Sequence, residues 1–208
     1  SLSDMGKALP SYEEIPIACR MDEAVQSEYK RIENALVRVL RSDRRVAQKI
    51  LSAYLNLLTV YPDQPYDQKP ILYPDSDIPI VKPESIGDAD CLGEKELRTL
   101  EIVKAAIQNG ERALIYTSWV RTDSQQKLKK LLTDEGYRTE ILTDKIKTTN
   151  REEWVQKKLA AGMQVLIVNP SLVETGLDLN AFTTLVFYSM GYKLFTLRQA
   201  SRRSWRIN

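Results

Sequence analysis

At 208 residues and 43% hydrophobic, the chain can bury a real core, as one large domain or one domain with a structured extension. It has no histidine and only Cys19 and Cys91 as thiols, which excludes Ser/His, Cys/His and His-metal mechanisms, a disulfide framework and a four-thiolate zinc site. The net charge of +2 indicates little by itself, no apolar run approaches the ~20 residues of a membrane span, and Ser1 to Pro10 lacks the features of a secretory signal, so a soluble cytoplasmic protein is expected.

Residues 14–19 alternate and read as a short strand or extended segment. Asp22 is placed to cap a helix on which Val25, Tyr29, Ile32, Leu36 and Val39 recur at helical spacing. A second stripe follows through Val46, Ile50, Tyr54 and Leu58. From Tyr61 to about Asp90 the periodicity stops, and Pro62, Pro65, Pro70, Pro74, Pro79 and Pro83 predict a long irregular connection. Residues 1–95 therefore read as a helical extension and linker, and 96–208 as an α/β domain.

In that second part helix and strand alternate. A helix over 94–106 places Leu97, Leu100, Val103 and Ile107 on one side and stops at Asn109-Gly110. Strands are expected at 112–117, 137–142, 164–168 and 184–188, and helices at 124–132, 151–161 and 194–206. Strands separated by helices of this length predict a parallel sheet covered on both faces.

Ligands of such sheets bind beyond the carboxyl ends of the strands. The residues there are Ser118-Trp119, Thr143-Asp144, Asn169 to Asp178 and Ser189 to Lys193. In the third group Gly176 permits a turn that a side chain would obstruct, Asp178 can accept from a ribose hydroxyl, and Thr175 can donate to a phosphate; an ordinary capped turn is the competing reading. Near the end of the chain Gln199, Arg203 and Arg206 follow at intervals of four and three, on one helix face, within an arginine cluster that also holds Arg198 and Arg202. Two permanently charged, planar guanidiniums suit a phosphoryl group gaining charge, although a solvated basic face is the simpler alternative.

Taken in order, Ala113 to Trp119 resembles helicase motif IV, Asn169 to Leu179 motif V, and Gln199 to Ile207 motif VI. Together they resemble the C-terminal RecA-like lobe of superfamily-two helicases and translocases, closest in flavour to the Swi/Snf type and its phage and bacterial relatives. The resemblance implies that Arg203 and Arg206 reach nucleotide phosphates across an inter-lobe cleft and that Gln199 positions them. It implies that Gly176 and Asp178 lie near the nucleotide sugar, and Ser118 and Thr175 near a nucleic-acid backbone. Arg202 departs from the acidic or small residue common at its place, and Trp205 from a small residue or histidine, with the arginine spacing intact.

No G-x-x-x-x-G-K-[ST] loop and no carboxylate pair after an apolar strand occurs, and Asp88-Ala89-Asp90-Cys91 reads as loop. The resemblance implies that those parts belong to an upstream P-loop lobe of the same polypeptide, so that this stretch is expected to be a fragment without ATP hydrolysis of its own. The intact enzyme is expected to bind ATP and Mg²⁺ between its lobes and to move DNA, with RNA left open, through backbone contacts. Two other readings are a non-enzymatic α/β adaptor whose basic helix docks protein or nucleic acid, and a small nucleotide-binding transferase, the latter weakened by the missing glycine-rich loop.

Overall fold

The computed structural model describes residues 13–118, 123–173 and 177–189. Contacts divide the chain into two compact units, one built on Arg20–Glu94 and the other chiefly on the residues from Lys95 onward.

The first unit is a helix pair, α1 (Glu23–Ser42) and α2 (Arg44–Val60), with the following segment folded against it. Val25, Ile32, Leu36 and Val39 of α1 and Ala47, Ile50, Tyr54 and Leu57 of α2 share one buried cluster, as apolar residues three and four apart must if both stripes face each other. Asp22 precedes α1 without capping it through its side chain. The working cap is Asp43, whose Oδ1 accepts the Arg45 and Val46 N–H groups at 2.9 and 3.1 Å and starts α2 one residue after α1 ends. Residues 14–19 are exposed and in no strand.

The stretch from Tyr61 to Asp90 is more ordered than its prolines predict. Ile71–Leu72 (β1) and Pro79–Val81 (β2) form a short antiparallel pair, and Tyr61, Ile71 and Val81 join the helical core. Polar ties reinforce the packing. Buried Glu28 accepts from Arg31 Nε at 2.5 Å and from the Glu84 N–H at 2.8 Å, while Arg31 Nη2 donates to the Lys82 carbonyl at 2.6 Å. Tyr61 donates its hydroxyl proton to the Glu84 carbonyl at 2.9 Å. Strands of two and three residues are too short to show a period, which is why the hairpin is invisible in sequence. Asp88 to Cys91 is loop as expected, closed by Asp88 Oδ1 accepting the Asp90 N–H at 2.9 Å.

The second unit contains α3 (Glu94–Gln108), β3 (Ala113–Thr117), α4 (Ser124–Asp134), β4 (Thr139–Leu142), α5 (Arg151–Ala160), β5 (Val165–Val168) and β6 (Thr184–Ser189). The four strands β3 to β6 form a parallel sheet in the order β4-β5-β3-β6. Strand alternation splits the core in two. Leu114, Tyr116, Leu142, Leu166 and Val168 face Val155 of α5, with Phe182, Leu177 and Leu179. Ala113, Ile115, Ile141, Val165 and Ile167 face Val103 of α3 and Leu128 and Leu132 of α4. The sheet is thus covered on both faces, as the unbroken apolar strands predict.

One helix face differs from expectation. Leu97 of α3 is 46% exposed, and the buried line runs Glu96, Thr99, Val103 and Ala106. The reason is electrostatic: Glu96 is engaged by Lys127 Nζ of α4 at 3.0 Å and by the Tyr188 hydroxyl of β6 at 2.8 Å, all three residues buried. A carboxylate with such partners can be buried where an unpaired one cannot. Helix α3 ends at Gly110, whose φ of 77° lets the Glu111 N–H reach the Ala106 carbonyl at 2.9 Å. The expected last helix, 194–206, lies outside the described residues.

Candidate functional site

Parallel strands deliver all their carboxyl ends to one edge of the second unit. Three of the four ends are joined there by side chains. Between Tyr116 and Thr117 the β3–β6 register shifts, so that Thr117 lies opposite Ser189 and not Tyr188. The Ser118 N–H then donates to Ser189 Oγ, and Ser118 Oγ donates to the Ser189 carbonyl, both at 2.9 Å. Asn169, at the end of β5, donates from Nδ2 to the Ser118 carbonyl at 3.0 Å. Its Oδ1 accepts the Ser171 N–H at 2.9 Å and the Ser171 hydroxyl at 2.6 Å. Beneath this line, buried Gln125 of α4 donates to Thr117 Oγ1 at 2.7 Å.

The chain Ser189–Ser118–Asn169–Ser171 therefore ties the exits of β6, β3 and β5 into one edge. A serine hydroxyl has a single proton, and that of Ser118 is given to Ser189. In this arrangement Ser118 fixes the loop that follows β3, and it can donate to a phosphate only by leaving that bond.

Asp178, in the connection between β5 and β6, is exposed between buried Leu177 and Leu179. The two leucines anchor the turn and alternation presents the carboxylate to solvent. Its Oδ1 accepts the Asn180 N–H at 3.0 Å, leaving further lone pairs for a hydroxyl donor. After β4, Lys145 and Lys147 are exposed and make no ion pair or hydrogen bond through their side chains among the described residues. The turn they belong to is held by Arg151, 9% exposed, which donates from Nε to the Ile146 carbonyl at 3.2 Å and from Nη1 to the Leu172 carbonyl at 2.9 Å. One buried guanidinium thus sets the spacing of the loops after β4 and β5.

Of the residues expected from sequence, Ser118 is placed at this edge by its bonds to Ser189 and Asn169, whereas Asp178 is exposed in the connection between β5 and β6. Thr175, Gly176, Gln199, Arg203 and Arg206 lie outside the described residues. Asn169 and Ser189 stand among the strand-end residues that the sequence offers, but their partner Ser118, 51 and 71 residues away, is not readable from it, and Arg151, bonded to a carbonyl 21 residues away, is marked by no local pattern. Among the described residues no group of three or more Cys, Asp or Glu is placed to hold a metal ion.

The opposite end of β4 carries an open cavity of about 380 Å³ lined by Lys129, Tyr137, Arg138, Glu140 and Lys158. Burial pushes the Glu140 carboxyl up, but hydrogen bonds and charge from Lys158 and Lys129 outweigh it and hold it below the usual carboxylate range. Being at the amino-terminal end of the strand, this cavity is no part of the edge just described.

Residues 95–208 match the family described as Helicase conserved C-terminal domain. No curated protein matches the chain. Among solved structures, the C-terminal part of the Fun30 ATPase domain superposes with a TM-score of 0.68 at 12% identity, over 96% of this chain and 82% of that one. The SWI2/SNF2 ATPase C-terminal domain of Sulfolobus solfataricus superposes with a TM-score of 0.60 at 16% identity, over 83% and 69%. At these identities the likeness is one of fold, and the fold is that of a RecA-like helicase C-terminal lobe.

Proposed function

The chain belongs to the helicase conserved C-terminal domain family, and from that premise we propose that it is the second ATPase lobe of a nucleic-acid helicase or translocase. In this reading an upstream P-loop lobe of the same polypeptide holds most of the ATP·Mg²⁺, and this chain completes the site when the lobes close. Arg203 and Arg206 grip the phosphates, with Gln199 positioning them, since a guanidinium fork stabilises the charge that develops on a transferring phosphoryl group. Such a finger is worth about 10³–10⁵ in rate. Asp178 accepts from a ribose hydroxyl, which its exposed position between two buried leucines permits, and Gly176 keeps the turn beside it open.

The nucleic acid, DNA in our reading, is held through its backbone by the loops after β3 and β5, to which Ser118 and Thr175 belong in the sequence, and by the exposed Lys145 and Lys147. The observation that carries the proposal is the joined carboxyl edge: Ser189, Ser118 and Asn169 link the loop after β3, the loop after β5 and the start of the segment that bears the arginines.

The test is ATP turnover measured for the chain alone and for the chain joined to its P-loop lobe, with and without DNA. The proposal expects no turnover alone and DNA-stimulated turnover when joined. Turnover by the chain alone, or a joined protein that binds DNA without hydrolysing ATP, contradicts it; the latter outcome fits a non-catalytic adaptor.

A further inference from the structure

The helical unit carries a charge pattern that the carboxyl edge of the sheet does not explain. Over residues 20–94 acidic side chains outnumber basic ones, thirteen to ten, yet Arg38, Arg41, Arg44 and Arg45 fall within eight positions that contain one acid, Asp43. All four arginines are exposed, and their side chains have no hydrogen bond or ion pair among the described residues. Their neighbours along the helices differ: Arg31 is engaged with Glu28 and Lys49 with Asp75.

Local structure gathers the four at one corner. Arg38 and Arg41 are three apart on α1, hence neighbours on one face and separated by about 4.5 Å along the axis. Asp43 alone separates the last turn of α1 from the first of α2, so Arg44 and Arg45 open the next helix directly. There they oppose helix physics, because cations are unfavourable at a helix N-terminus and α2 has no acid in its first turn to offset them. The one acid present, Asp43, is committed to the backbone N–H groups of Arg45 and Val46. Breaches of local preference of this kind concentrate at functional or strained sites.

We propose that this α1–α2 corner is a second nucleic-acid contact, in which Arg38, Arg41, Arg44 and Arg45 bind the phosphate backbone without reading sequence. Four exposed guanidiniums match phosphate oxygens in charge and in forked geometry. The choice of nucleic acid over an acidic protein rests on the function proposed above, which already brings that polymer to the chain.

Binding of the 208-residue chain to a fluorescein-labelled duplex of mixed sequence, followed by anisotropy between about 50 and 200 mM salt, tests this. The variant R38Q/R41Q/R44Q/R45Q is compared with the native chain and with K69Q, which removes an exposed cation of the same unit that belongs to neither helix. Each phosphate neutralised on a duplex contributes about 0.9 to the slope of log K against log salt, so four engaged arginines lower the slope by about 3.6. A fall of about 2 to 4 is expected for the quadruple variant, with affinity at low salt reduced on the order of tenfold or more, and none for K69Q. Matching circular dichroism spectra and urea midpoints establish that the variant is folded. An unchanged slope in a folded variant overturns the proposal, as does a slope that is unchanged while competition by polyglutamate is lost, which would identify an acidic protein as the partner. Either result leaves the ATPase reading standing, since that reading falls on turnover and not on this slope.

Discussion

Replacing Asn169 by alanine removes three hydrogen bonds at once: Nδ2 to the Ser118 carbonyl at 3.0 Å, and Oδ1 from the Ser171 N–H and hydroxyl at 2.9 and 2.6 Å. A net hydrogen bond is worth about 0.5–1.5 kcal/mol. Ser171 is exposed, so water replaces part of what it loses, whereas Asn169 itself is 8% exposed and its bond to Ser118 is shielded. The sum is a loss of about 2 kcal/mol from the second unit. Asn169→Asp separates the contributions, because it keeps the acceptor for Ser171 and sets a carboxylate oxygen against the Ser118 carbonyl. If the Ser118 bond dominates, the two variants lose stability to a similar extent. All three tryptophans fall after residue 95, so fluorescence-detected urea unfolding reports on this unit. A loss below about 0.5 kcal/mol for Asn169→Ala would show that the edge is held by something other than this side chain and would refute the reasoning.

Tyr54 is fully buried in the helical unit with its hydroxyl unpartnered among the described residues, so Tyr54→Phe is expected to be neutral or stabilising by up to about 1 kcal/mol in thermal or urea unfolding. Burial pushes the Tyr54 and Tyr61 hydroxyls up to about 12. Because these folded-state values lie above the unfolded one near 10, the stability they contribute is complete below about pH 10 and is lost as pH rises through about 12; absorbance titration of the native chain should show two late tyrosines that Tyr54→Phe and Tyr61→Phe remove singly. Glu140 behaves with the opposite sign. Its folded value is depressed, so its contribution is present above the usual carboxylate range and is lost as pH falls through the lowered value, and Glu140→Gln should flatten the acid limb of the stability profile.

The strands and helices of the second unit were legible because they are long, apolar and punctuated by glycine, and the same spacing placed Val25, Ile32, Leu36 and Val39 on a buried face. What failed were features whose cause lies far along the chain. The spacing puts Leu97 on one side with Leu100, Val103 and Ile107, but Lys127 and Tyr188 draw Glu96 inward and leave Leu97 exposed. Asp22 and Asp43 are chemically equal candidates for capping, yet only the latter bonds the following amides. The hairpin of β1 and β2 depends on burying Ile71 and Val81 against the helices, which no window of the sequence contains. At the carboxyl edge, Asn169 and Ser189 could be read as strand-end residues, but their bonds to Ser118, and those of Arg151 to the neighbouring loops, depend on groups that only the sheet brings near.

The arginines of the last segment bear the most direct test of the proposed function. In the polypeptide that joins this chain to its P-loop lobe, DNA-stimulated ATP turnover is measured for Arg203→Ala, Arg206→Ala and, as a comparison, Arg202→Ala. The account predicts that kcat falls by about 10³ or more for the first two, with DNA binding retained, and that Arg202→Ala stays close to native. Turnover within a few-fold of native for both Arg203→Ala and Arg206→Ala would contradict it.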